Sequence, residues 1–212
     1  MHSSHDCLIR VLVVDDHFFT RIGLSAALNL EADIGVVAEA TCGREAIDLF
    51  DQMQPDVAIL DGHLPDMHGT EVARHILKRF EHARLLLFSV DETEEDIHRA
   101  VSAGVSGYLP KSAPRPQVLS GVRALAAGRR FFPEPIREKI QQRRSHASLS
   151  DREVEVVSGM ARGLSNKLIA GELGVSAETV KTFVARILEK LGVEDRTQAV
   201  ITAMNRGLLK GK

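Results

Sequence analysis

The stretch Val57-Ala58-Ile59-Leu60-Asp61-Gly62-His63-Leu64-Pro65 decides how the first half of the chain is read. Its four apolar residues predict a buried strand, Asp61 stands at the strand's C-terminal end, and Gly62 and Pro65 stop it. In an open parallel α/β sheet, ligands and chemistry gather at the carboxyl edge of the strands. One carboxylate at that edge says little, so its meaning depends on what the neighbouring strands bring to the same place.

Outward from this stretch, strands and helices alternate. Ile9 to Val14 is a short β-branched run ending in Asp15-Asp16-His17, followed by a helical pattern carrying Ile22, Leu24, Ala27 and Leu28. Ile34 to Ala40 reads as a second strand and Gly43 to Met53 as a helix. Beyond the central strand, Gly69 to Phe80 is helical, Leu85 to Phe88 is a strand ending at Ser89, and Glu94 to Ala103 is a polar helix that Gly104 closes. Gly107-Tyr108-Leu109 is a short fifth strand before Pro110-Lys111, and Pro116 to Ala127 is a helix with Gly128 just past its end. Such alternation over short connections predicts an α/β fold, a doubly wound five-stranded parallel sheet with helices on both faces.

That sheet would gather Asp15, Asp16, Asp61, Ser89 and Lys111 at one edge. Asp is common after strands as a solvated cap, and for Asp15-Asp16 alone that reading is as good as any other. The full set in this order points to phosphoryl chemistry. Three neighbouring carboxylates repel and call for a cation, and Mg2+ takes carboxylate and water oxygens while bridging phosphate. Asp15 and Asp16 would hold it, and Asp61 would share it and attack phosphorus to form an aspartyl-phosphate. Lys111 would supply a point charge and Ser89 a hydroxyl donor for the phosphoryl oxygens. Positioning and charge neutralisation are most of what phosphoryl transfer demands.

The whole chain has 212 residues, enough for one large domain or two small ones, and its 44% apolar and 26% charged composition is that of a globular protein. No apolar run approaches the ~20 residues needed to span a bilayer, and the polar start, Met1 to Cys7, is unlike a secretory signal. Two cysteines, Cys7 and Cys42, make no disulfide framework and read as reduced thiols in the cytosol. Net charge is divided: residues 1–128 carry 11 basic and 19 acidic residues, a balance of −8, and residues 129–212 carry 16 and 10, a balance of +6. An acidic front and a basic back predict two modules, the second suited to a polyanion.

Between them, Gly128 to Pro135 breaks the periodicity, Phe131 and Phe132 are expected to pack on a domain, and Ile136 to Arg143 can form a short helix. The back module opens with a capping box, Ser150-Asp151-Arg152-Glu153. Ser165, Ser176 and Asp195 cap three further helices, and Gly163, Gly174 and Gly192 close the first three of the four. Val154, Val157 and Ala161 give the first an apolar face, and Ala199, Val200, Ala203 and Met204 are expected to face inward on the last, Thr197 to Leu208. The tight turn Gly174-Val175-Ser176 makes the middle pair a helix-turn-helix, whose second helix enters the major groove of DNA.

Two resemblances follow from these motifs. Val13-Val14-Asp15-Asp16-His17, Leu60 to Gly69, Phe88-Ser89 and Gly104 to Lys111 together resemble the receiver domain of bacterial two-component response regulators, a flavodoxin-like fold. The resemblance implies a sensor histidine kinase as phosphoryl donor. It also implies Mg2+ on Asp16, Asp61 and the main-chain carbonyl of His63, with Asp15 acting partly through water, and Ser89 and Tyr108 as a switch pair. Leu64 stands where Met is common and Phe18 where Pro often follows; neither disturbs the chemistry. His63, two after Asp61, and Asp91, two after Ser89, would flank the pocket mouth and tune phosphate lifetime, unless they are plain solvated loop residues.

From Leu149 to Leu209 the chain resembles the LuxR-type DNA-binding domain, through Leu149-Ser150-x-Arg152-Glu153, Gly163 to Ala170, Ser176-x-x-Thr179-Val180-Lys181 and Arg196-x-x-Ala199. On the recognition helix, Lys181, Thr182, Ala185 and Arg186 would meet base edges, while Asn166, Lys167, Thr179 and Lys190 would meet phosphates. Phe183 replaces a frequent His and reads as a packing residue. The expected organisation is a receiver over residues 7–128, a linker over 129–147 and a DNA-binding domain over 148–212. Both halves together resemble NarL/FixJ-type response regulators. That implies a cytoplasmic transcription factor, not an enzyme, which binds double-stranded DNA as a homodimer through its last helix once phosphorylated. Three rivals stand beside it: a regulator working without phosphate, an enzyme turning over through an aspartyl-phosphate, and a quorum sensor. The intact edge set disfavours the first and the missing substrate cap the second. The acidic edge itself disfavours the third.

Overall fold

The central strand, β3 (Val57–Asp61), is buried at every residue. The fold described here is a computed structural model covering residues 8–90, 93–145 and 149–209, with the backbone alone for 142–145. Around β3, the elements β1 (Ile9–Val14), β2 (Ile34–Ala40), β4 (Leu85–Ser89) and β5 (Gly107–Pro110) form one parallel sheet in the order β2-β1-β3-β4-β5. The chain reverses its direction of travel across the sheet between β1 and β3. The carboxyl ends of those two strands therefore border a crevice.

Helices α1 (Phe18–Asn29), α2 (Gly43–Met53), α3 (Gly69–Arg79), α4 (Glu94–Ser102) and α5 (Arg115–Ala126) connect and follow the strands. Strand side chains alternate between faces. Val11, Val13, Val57, Ile59, Leu86 and Phe88 meet Leu28 of α1 and Val118, Leu119, Val122 and Leu125 of α5 in one core cluster. The intervening Leu12, Val14, Ala58, Leu60, Leu85 and Leu87 are equally buried on the other face, where α2 packs on β1 and α3 on β3 and β4. The doubly wound α/β sheet expected from the alternation is thus the one observed.

Two local expectations change. Ile22, expected on the inner face of α1, is 45% exposed, and Ser25 is buried beside Leu28 instead. The strands β3 and β4 each run one residue further than the apolar runs, through Asp61 and Ser89. Ladder pairing Asp61↔Phe88 and Ser89↔Pro110 continues past the last hydrophobic side chain, because backbone hydrogen bonding is indifferent to side-chain polarity.

The segment read as the start of a linker begins inside the sheet. Phe131 forms a parallel bridge to Gly107, donating its N–H to Ser106 O at 3.0 Å and accepting from Tyr108 N at 3.1 Å. The short helix expected near residue 136 is α6 (Glu134–Ser145).

The second unit is all helical: α7 (Asp151–Ala161), α8 (Asn166–Leu173), α9 (Ala177–Leu191) and α10 (Arg196–Asn205). Its core holds Val156, Val157, Met160, Ile169, Val180, Ile187 and Leu191, with Ala199 and Ala203. Ser150, Ser165, Ser176 and Asp195 cap the four helices as the sequence predicts, and Gly174 and Gly192 close α8 and α9 in the left-handed region. Met204, expected to face inward, is 52% exposed. The small Ala199 and Ala203 already fill that seam. Among the described residues no helix is long and apolar enough to cross a membrane.

Candidate functional site

Each member of the pocket is placed by a strand end. Asp15 follows β1, Asp61 and Ser89 close β3 and β4, and Lys111 follows β5. Asp15, Asp61 and Ser89 are buried polar residues. Lys111 Nζ donates to Asp61 Oδ2 at 2.8 Å and stands 2.8 Å from Asp15 Oδ2 as an ion pair. Its backbone N–H donates to Ser89 O at 2.9 Å, which ties β5 to β4 beside the pocket.

The loop after Asp61 folds back upon it. Gly69 N–H donates to Gly62 O at 2.9 Å and His63 N–H to Asp61 Oδ1 at 3.3 Å. Both glycines are needed for space. A Cβ on Gly62 would overlap Ser89 Oγ, and one on Gly69 would overlap the carbonyl oxygen of Asp61. Asp66 anchors the loop from outside, accepting from Gly43 N at 2.7 Å and Arg44 N at 2.9 Å, the first N–H groups of α2. Those two hydrogen bonds hold the Asp66 carboxyl below its ordinary range. His63 is exposed, its ring edge-on to His68 at 4.9 Å. His68 in turn caps α3, its Nδ1 accepting from Thr70 N at 3.3 Å.

Electrostatically the pocket is overloaded with acid. Burial raises the Asp61 pKa, and the nearby Asp15 charge adds to this, while the Lys111 hydrogen bond pulls the other way. For Lys111, burial opposes the charge, but the contacts to Asp15 and Asp61 outweigh it and hold the ammonium above its usual value. One donor atom each of Asp15, Asp16, His17 and Asp61 lies within 4.8 Å of the others. One ammonium against three carboxylates leaves the pocket about two charges negative. That donor set fits a divalent cation with hard oxygen ligands.

Tyr108 is fully buried, so its ring already lies inside the first unit. Asp91 lies outside the described residues. Three contributions escaped the sequence reading. Gly62 and Gly69 leave space that a side chain would fill, beside the hydrogen bond between their backbones. Arg21 donates to Asp15 O at 2.7 Å and reaches Glu39 Oε2 at 3.2 Å, pinning the end of β1. No sequence signal distinguishes it from an ordinary helix arginine.

In the second unit, Val180, Ile187 and Leu191 seat α9 on the core. Lys181, Thr182, Ala185 and Arg186 are exposed together, as are Thr179 in the first turn and Lys167 at the start of α8. Phe183 is half-buried against the core, as a packing residue should be. Two residues expected at phosphates also have internal partners. Asn166 Oδ1 accepts from Arg196 Nη1 at 3.2 Å. Lys190 Nζ pairs with Glu153 Oε2 at 2.6 Å. Glu153 is a buried carboxylate in the α7 capping box, and a buried charge without a cation would be costly.

Comparison with known proteins agrees with both units. The family model described as the response regulator receiver domain matches residues 11–123, and that of the bacterial regulatory proteins, luxR family, matches residues 147–203. The response regulator protein VraR of Staphylococcus aureus is 35% identical over 207 residues, spanning 95% of this chain and 99% of that protein. The crystal structure of the response regulator ChrA, from a heme-sensing two-component system, is 36% identical with a TM-score of 0.56, covering 95% of this chain and 99% of ChrA. RcsB, solved as two dimers bound to two parallel DNAs, matches with a TM-score of 0.71 over 93% of this chain and 98% of its own; at 21% identity this bears on the fold alone. The chain belongs to the NarL/FixJ-type two-component response regulators, a receiver domain followed by a LuxR-type DNA-binding domain.

Proposed function

We propose that Asp61 is the phosphoacceptor of this response regulator and that its phosphorylation governs DNA binding by α9. The observation that carries this reading is Lys111 Nζ at 2.8 Å from both Asp61 Oδ2 and Asp15 Oδ2, a half-buried cation aimed at the one carboxylate closing the central strand. A carboxylate oxygen of Asp61 attacks the phosphorus of a phosphohistidine on a sensor histidine kinase. The P–N bond breaks, and the departing imidazole takes up a proton. Asp15, Asp16, Asp61 and the main-chain carbonyl of His63 would hold Mg2+, which would supply neutralisation of the phosphoryl charge. Lys111 exchanges its carboxylate partner for a phosphoryl oxygen, and the Ser89 hydroxyl donates to another.

Ser89 and Tyr108 then form the switch pair. Tyr108 shares its backbone with Phe131 through the β5 bridge, which supports a path from the pocket into the joint. The phosphorylated receiver promotes a homodimer, with α10 as its DNA-binding-domain surface, and the dimer binds double-stranded DNA in the cytoplasm. Lys181, Thr182, Ala185 and Arg186 face base edges, and Lys167 and Thr179 face phosphates. Asn166 and Lys190 assist by holding α8 and α9 in place. His63 at the pocket mouth, with Asp91 as its counterpart after Ser89, sets how long the phosphoryl group survives.

The test is incubation with acetyl phosphate and Mg2+, resolved on a phosphate-affinity gel. Wild type should shift to a slower band, and Asp61→Ala should not. A band of equal strength in Asp61→Ala, or none in wild type, would remove phosphorylation of Asp61 from the account.

A further inference from the structure

The oxygen donors of the acidic pocket were legible as Asp15, Asp16 and Asp61, but the geometry adds an imidazole. His17 Nδ1 lies 2.8 Å from Asp16 Oδ1 and 3.5 Å from Asp15 Oδ1. Its backbone N–H donates to Asp15 Oδ1 at 2.8 Å, so the peptide carrying the ring is fixed to the pocket wall. All four residues can present one donor atom each within a 4.8 Å span.

Those ring separations match the spacing of ligands around one ion. Donors at about 2.1 Å from one ion stand roughly 3.0–3.4 Å apart when adjacent in octahedral or tetrahedral geometry. The two His17 distances bracket that range. The His17 side chain is 70% exposed, so turning its nitrogen from Asp16 toward an ion displaces no packed neighbour. Lys111 contacts Asp15 and Asp61 through their Oδ2 atoms, while His17 approaches Asp15 and Asp16 through Oδ1. The ammonium and the imidazole thus use different oxygens.

We propose that His17 is a ligand of the divalent cation in this pocket, so that the receiver binds Mn2+ in preference to Mg2+. Mg2+ selects oxygen donors and holds its waters tightly, whereas an imidazole nitrogen favours the transition ions. Coordination through Nδ1 would take the place of the close His17–Asp16 contact. The inference rests on the reading of the acidic edge as a cation site.

The experiment uses the full chain with MnCl2, following the loss of the free-ion electron paramagnetic resonance signal on binding and the spin-echo modulation of the bound ion. Wild type should show the modulation of a directly bound 14N nucleus. His17→Gln should still bind Mn2+ but lose that modulation and at least fivefold in Mn2+ affinity, with Mg2+ affinity changed less than twofold. Asp61→Ala should weaken both ions. Mn2+ binding that depends on Asp61 but shows no nitrogen coupling, or coupling that survives in His17→Gln, overturns the role of His17 and leaves the cation site standing. Absence of any Asp61-dependent Mn2+ or Mg2+ binding overturns both.

Discussion

The hydrogen atom that Gly69 carries in place of a side chain sets how closely the loop can approach Asp61. Asp61 can stand at the sheet edge because Gly69 lets the start of α3 come within contact of the Asp61 carbonyl oxygen. Gly69 also donates to Gly62 O, so the loop closes around the carboxylate. A methyl group there meets backbone, which cannot swing aside as a flexible side chain can. Gly69→Ala is expected to destabilise the receiver by about 1–3 kcal/mol, the usual cost of overpacking, and to slow phosphorylation of Asp61 at least tenfold. Urea unfolding and the rate of band shift with acetyl phosphate measure the two effects. A variant of wild-type stability and rate would show that the loop accommodates the methyl group.

At the scale of an element, the recognition helix is aimed by its far end. Val180 and Ile187 seat α9, but Lys190 in its last turn is what ties it to the N-terminus of α7 through Glu153. Burial would raise the Glu153 pKa, yet the hydrogen bonds from Lys190 and Ser150 outweigh it and hold the carboxyl below its ordinary value. A folded-state pKa below the unfolded one means that the unfolded chain binds the proton more readily. The pair's contribution is therefore full above the ordinary Glu value and is lost as pH falls through the folded one. Glu153→Gln keeps a capping side chain but removes the charge, and is expected to cost about 1–3 kcal/mol at pH 7. The wild-type advantage should shrink as the solution is acidified below about pH 4.5. Hydrogen exchange of the Val180 and Ile187 amides reads this out. An advantage that grew on acidification would contradict the pairing.

For the whole molecule, the acidic and basic halves correspond to units with separate cores, and Phe131, read as linker, belongs to the first. Its backbone bridges to Gly107 and its ring packs on the α5–sheet core, with Gly121 leaving room beside it. A truncation at Gly128 would discard part of the receiver. Phe131→Ala in the full chain is expected to lower receiver stability by about 2–4 kcal/mol, less than a fully buried Phe because the ring is half-covered. It should also speed hydrogen exchange at the Tyr108 amide, which donates to Phe131 O. Unchanged exchange at Tyr108 would mean that the bridge holds without the ring.

The sequence by itself determined the alternation of strands and helices, the five edge residues and the caps of the DNA-binding helices. Each is written in local chemistry: apolar runs, a polar residue where a run ends, a Ser or Asp where N–H groups need an acceptor. Only tertiary structure decided that Ser25 rather than Ile22 turns inward, that Lys190 belongs to Glu153, and that Phe131 belongs to the sheet. It also placed His17 beside Asp16 and set the clearances at Gly62 and Gly69. Most of these depend on partners far away in the chain, and a lysine on a helix or a phenylalanine in a joint carries no local mark of the group it will meet. The same physics makes Asp61 legible at once as a carboxylate at a strand end, and as a phosphoacceptor only in the company of Asp15, Asp16, Ser89 and Lys111.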